Sequence, residues 1–206
     1  MILYAISDRS LAPGKDLIHQ ASSLIRAGVD WLQIREKDLP DRTLFLVLKA
    51  LVPEARRFGT VLLVNGRPDL AAASGASGVH LPSLGLPTAE VRRAFPPPFT
   101  IVRSCHCEED LARAEAEGAD AAVFGPVYPT PSKTPFGPPL GVDRLREACS
   151  FVRMPVLALG GITRERLGEV GDAGAAGIAA IRLFCAMANP ISELPALRGP
   201  LAGGRQ

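Results

Sequence analysis

Three cations and one glycine pair stand where they could hold an anion. Arg35 and Lys37 lie two residues apart in QIREKD (33–38), so an extended backbone puts both on one face. Lys133 lies in GPVYPTPSK (125–133), where prolines lower the entropy cost of holding an ammonium group inward. Gly160 and Gly161 follow an apolar run, Val156 to Leu159, and precede a helical pattern starting near Thr163. Uncovered N–H groups at a helix start, with the helix dipole behind them, favour a phosphate. A glycine pair is equally the signature of a plain tight turn. Three cations converging on the same rim favour the anion site.

His106 is the acid/base candidate, because imidazole titrates near neutrality and the residue shares a strand face with Ser104 if that strand continues. The competing reading makes it a solvent-facing or N-capping residue ahead of the helix at Glu108. His80, inside GVHL, reads as a hydrogen-bonded interior histidine, and His19 as a surface residue of the first helix. Cys105 and Cys107 flank His106, but alternate strand residues face opposite sides and no fourth ligand is apparent, so no metal site is read there. Cys149 and Cys185 add no CxxC pair, and most of the four cysteines are read as reduced thiols.

Eight strand-plus-helix units position these groups. The strands are read at Ile2–Ser7, Asp30–Arg35, Val61–Val64, Gly78–Leu81, Phe99–Ser104, Asp120–Phe124, Val156–Leu159 and Gly177–Ile181. The helices are read at Lys15–Ala27, Leu39–Phe58 with a kink or break at Pro53, Pro68–Ser74, a fourth N-capped by Thr88, Glu108–Glu117, Val142–Ser150, a seventh from near Thr163, and Arg182–Ala188. In the second strand, Leu32 and Ile34 pack outward on helices, which turns Gln33 and Arg35 inward. With no hairpin signal and no GxGxxG after the first strand, the pattern predicts a single-domain (β/α)8 TIM barrel over residues 1–201, with 202–206 a disordered tail. The stretch 125–139 carries six of nineteen prolines and leaves a strand's C-terminal end, where barrel enzymes place catalytic loops.

At 206 residues with a net charge of +2 and no long charge run, there is no electrostatic case for nucleic acid or an acidic membrane. No run approaches the ~20 apolar residues of a membrane span, and the N-terminus lacks a secretion signal, so the chain reads as cytoplasmic.

QIREKD, VNGRPDLA (64–71), GVHL (78–81), GPVYPTPSK, the Gly160-Gly161-Ile162 turn and GAAGIAAI (174–181) resemble, in order and spacing, the thiamine phosphate synthase/TenI superfamily. A synthase of this family joins a hydroxymethylpyrimidine diphosphate to a thiazole phosphate and releases pyrophosphate. The resemblance implies that Gln33, Arg35, Lys37, Asn65, Ser104 and Lys133 hold the pyrimidine and its diphosphate. It implies that Thr130, Ser132, Gly160, Gly161 and the turn of Ile181 and Arg182 hold the thiazole phosphate. Arg182 replaces a small hydroxyl residue, and either grips the phosphate, turns outward or fills the pocket. By analogy with family members a homodimer is expected.

Two departures separate the readings. The synthases place Mg²⁺ aspartates where this chain has Gly66 and Gly85, so no cofactor is expected, because glycine offers the ion no carboxylate. Asp69 lies a helical turn away from that position. NGR, LPS and RSxH resemble the TenI branch, which includes metal-free thiazole tautomerases, yet the tautomerase histidine position is Pro126. The sequence therefore favours a TenI-like protein with His106 as a relocated base. A thiamine phosphate synthase and a non-catalytic phosphate-binding barrel are the alternatives.

Overall fold

The computed structural model describes residues 1–11, 16–130 and 138–198. Strands β1 (Ile2–Ile6), β2 (Trp31–Ile34), β3 (Val61–Asn65), β4 (Gly78–Leu81), β5 (Thr100–Cys105), β6 (Ala121–Phe124), β7 (Val156–Leu159) and β8 (Gly177–Ala180) are parallel and follow sequence order round a closed barrel. β8 closes on β1 with Tyr4 opposite Ala179. The (β/α)8 expectation therefore holds.

Period-two alternation sorts the strand residues. Tyr4, Ile6, Leu63, Val102, Val123, Leu157 and Ala179 fill the barrel interior. Their neighbours Leu3, Ala5, Leu32, Ile34, Leu62, Val64, Phe124 and Ala158 face the helices in the larger core. A fully buried leucine or isoleucine contributes ~1.5–3 kcal/mol, so this two-layer burial holds the strand ends that carry the site.

The surrounding helices are α1 (Leu17–Arg26), α2 (Asp41–Phe58), α3 (Pro68–Ser74), α4 (Thr88–Ala94), α5 (Glu108–Ala116), α6 (Gly141–Phe151), α7 (Leu167–Asp172), α8 (Arg182–Cys185) and α9 (Pro190–Glu193). Helix α2 runs through Pro53 without the break that is one of the two expectations, and Pro53 sits on the exposed side where water can take the place of the lost donor. Thr88 is the first helical residue of α4 and not its cap; Pro87 precedes it, and the buried Thr88 Oγ1 has no partner. Helix α8 stops at Cys185, short of the expected Ala188. The tail at 202–206 lies outside the described residues. Among those described, no helix is long and apolar enough to cross a membrane.

Candidate functional site

A cavity of about 470 Å³ opens among the loops that leave β6, β7 and β8. Pro126, Pro129 and Thr130 form one wall, Gly160 to Thr163 the second, and Ile181, Arg182 and Leu183 the third, with Asp8 and Ser10 after β1 completing the rim. Thr130, Gly160, Gly161, Ile181 and Arg182, expected to share a ligand, thus line one space. Ser132 and Lys133 lie outside the described residues.

The glycine loop owes its shape to close backbone contact. Gly160 and Gly161 have φ of 98° and 65°, which L side chains rarely adopt. A Cβ on Gly160 would lie 2.6 Å from Pro126 Cβ, and one on Gly161 2.7 Å from the Pro129 carbonyl oxygen and Tyr128 Cβ. The amides of Val127 and Tyr128 donate to the carbonyls of Leu159 and Gly160 at 2.8 and 3.0 Å, tying the two loops together. Arg166 donates to the Gly161 carbonyl at 2.6 Å and covers the Tyr128 ring at 4.3 Å. Tyr128 donates to Glu169 at 2.7 Å, and burial, followed by that carboxylate, pushes its phenol up to about 12. Arg182 is exposed on the rim, and no hydrogen bond or ion pair engages its guanidinium among the described residues. Both arginines bring positive charge to the cavity, where Asp8 is the opposing carboxylate.

A second polar group lies at the ends of β2 to β5. Gln33 is buried, its Nε2 donating to Asn65 Oδ1 at 3.2 Å while Oε1 has no partner. His80 bridges Tyr4 and Ser104, with Nδ1 2.9 Å from the Tyr4 hydroxyl and Nε2 2.8 Å from Ser104 Oγ. Burial, and after it the charges of Arg35 and Arg103, lowers the His80 imidazole to about 3, so it is neutral. Arg35 is half-buried just past β2, and its amide donates to Ser7 Oγ at 2.9 Å. Lys37, two residues on, is exposed. Gln33, Arg35, Lys37, Asn65 and Ser104 are not among the residues lining the 470 Å³ cavity. The candidate site therefore includes this polar group beside the cavity lining.

His106 corrects the expected shared face with Ser104. Strand β5 ends at Cys105, and the His106 amide instead meets Asp110 Oδ2 at 3.1 Å ahead of α5. The half-buried ring turns sideways, with Nδ1 2.5 Å from the Gly125 carbonyl oxygen. A carbonyl only accepts, so Nδ1 carries a hydrogen and donates it to Gly125.

The residues present do not suit Mg²⁺. Gly66 and Gly85 supply no side chain, and Asp69 is engaged at both oxygens by Arg67, at 2.9 and 2.7 Å. That pairing holds the Asp69 carboxyl below its ordinary range. Among the described residues no three His, Cys, Asp or Glu side chains cluster as metal ligands.

Tyr4, Asp8, His80 and Arg166 were not marked as ligand-binding by sequence reasoning. Only His80 carried a usable signal, a polar residue facing inward from a buried strand.

A closed parallel barrel with a glycine-walled cavity at its C-terminal rim places the chain among the (β/α)8 TIM barrels. The family model for thiamine monophosphate synthase matches residues 3–184, and the chain belongs to that family. A putative thiamine-phosphate synthase from Geobacter sulfurreducens is 44% identical over 195 residues, covering 95% of this chain and 92% of the relative. The thiamine-phosphate synthase of Chlorobium luteolum is 38% identical over 189 residues, covering 92% and 87%. The solved thiamine phosphate pyrophosphorylase from Pyrococcus furiosus superposes with a TM-score of 0.86 at 29% identity, covering 97% of this chain and 95% of its own.

Proposed function

We propose that this protein is a thiamine-phosphate synthase, coupling a hydroxymethylpyrimidine diphosphate to a thiazole phosphate. The relatives' names reverse the order in which the sequence alone ranked synthase and tautomerase. The observation that carries the reading is the meeting of Thr130, Gly160, Gly161, Ile181 and Arg182 on one cavity, beside a separate polar cluster of Gln33, Asn65 and Ser104. Two ligands need two such places.

In the coupling, the bond between the pyrimidine's methylene carbon and the diphosphate oxygen breaks. The thiazole nitrogen supplies the electron pair for the new C–N bond. Departure spreads positive charge over the pyrimidine and leaves a polyanion, which Arg35 and Lys37 offset electrostatically. The glycine loop and Arg182 seat the thiazole phosphate and aim its ring nitrogen at that carbon. The test is formation of thiamine phosphate and pyrophosphate from the two substrates; thiazole phosphate binding without turnover would leave a ligand-binding barrel.

One observation favours the second reading, a thiazole tautomerase. His106 touches the Gly125 carbonyl, next to Pro126, where the tautomerase branch has its histidine. Isomerisation of the carboxythiazole phosphate that disappears in His106→Ala would move the assignment there.

A further inference from the structure

The Tyr4–His80–Ser104 chain has a direction. Tyr4 is completely buried, and among the described residues its hydroxyl meets only His80 Nδ1, at 2.9 Å. A buried hydroxyl hydrogen with no acceptor is strongly unfavourable, so the phenol donates and Nδ1 accepts. A neutral imidazole carries one hydrogen, which then sits on Nε2 and is given to Ser104 Oγ at 2.8 Å. The reverse tautomer would strand the Tyr4 hydrogen. The doubly protonated ring is disfavoured by burial and by the charges of Arg35 and Arg103. Ser104, half-buried at the C-terminal end of β5, is thereby left with its own hydrogen to give.

We propose that Tyr4 and His80 are positioning residues that fix Ser104 as a hydrogen-bond donor toward the barrel mouth, so that the ligand atom it meets is an acceptor, a diphosphate oxygen. The identity of that acceptor rests on the synthase reading; the direction of the chain does not.

Nitrogen-15 NMR of histidine-labelled protein without ligand reads the direction, and the His80 ring is expected to carry its hydrogen on Nε2. Tyr4→Phe keeps the ring and removes the donor. It is expected to give mixed tautomers, to weaken binding of inorganic pyrophosphate about five- to tenfold, and to leave thiazole phosphate binding unchanged. In a Ser104→Ala background the same Tyr4→Phe change should cost nothing further, whereas a merely structural tyrosine would weaken binding equally in both backgrounds. A hydrogen on Nδ1 in the wild-type protein, or equal losses in the two backgrounds, overturns the proposal. If pyrophosphate fails to bind the wild type, the synthase reading falls, and the tautomer alone decides the chain's direction.

Discussion

The His106 ring is anchored to the main chain of Gly125, donating from Nδ1 at 2.5 Å, so its tautomer is set by the fold. Under the synthase reading this histidine touches no reacting atom. His106→Ala is expected to change the coupling rate by less than about threefold, measured as thiamine phosphate formed per minute. A loss of about a hundredfold, the usual size of a general-base contribution, would make His106 catalytic.

Gly161→Ala tests the cavity floor. The added methyl group would meet Pro129 O and Tyr128 Cβ at 2.7 Å from a backbone at φ 65°. A destabilisation of ~1–3 kcal/mol is expected, from left-handed strain and overpacking together. Thiazole phosphate affinity should fall at least about tenfold in calorimetry, while pyrophosphate affinity stays within about twofold. Equal losses for both ligands would contradict the two-part site.

These contacts also show what the sequence could and could not carry. Strand β7 is found to the residue, because Val156–Leu159 is an apolar run bounded by Pro155 and the glycine pair. The end of β5 is not: Cys105 packs like any core residue, and the Asp110 carboxylate captures the next amide. Pro53 does not break α2: a proline's effect on a helix depends on which face it occupies, and sequence position alone does not state that. The glycine-walled cavity is legible through Gly160 and Gly161, which need unusual backbone angles. The Tyr4 role is silent, since its partner His80 lies 76 residues away and the tyrosine itself sits in an ordinary apolar strand.

Arg182 carries a charge prediction. On the cavity rim and with no ion pair among the described residues, its guanidinium is available to an anion. Arg182→Ser should weaken thiazole phosphate binding about three- to tenfold, and Arg182→Glu about thirtyfold or more, with the wild-type advantage shrinking as salt rises. Unchanged affinity in the glutamate variant would show that the side chain turns outward.

His80 makes stability depend on pH. Its folded-state pKa, about 3, lies below the ordinary 6.5, chiefly through burial. Below ~6.5 the unfolded chain therefore takes up a proton that the folded chain refuses, and stability falls as pH drops toward ~3, by about 1.4 kcal/mol per unit. Urea midpoints at pH 7 and pH 5 should show about 2 kcal/mol more loss in the wild type than in His80→Gln. An equal loss in both would mean that His80 does not titrate on unfolding.

The Gly66 and Gly85 positions predict weak metal binding by the protein itself. Manganese titrated as a Mg²⁺ mimic, followed by electron paramagnetic resonance, should reveal no site tighter than about 1 mM in the ligand-free protein. A site near 10 µM would require carboxylates from elsewhere in the chain.

The wedging of the 126–129 segment against Gly160 and Gly161 has an evolutionary corollary. Two of the three walls are backbone held against backbone, so they cannot be remodelled one residue at a time. New specificity for bulkier heterocycles must be sought at Ile181, Arg182 and Leu183, the wall whose shape is set by side chains. A mutagenesis library confined to those three codons should enrich altered guests, and one confined to the glycines should return destabilised protein with weaker binding.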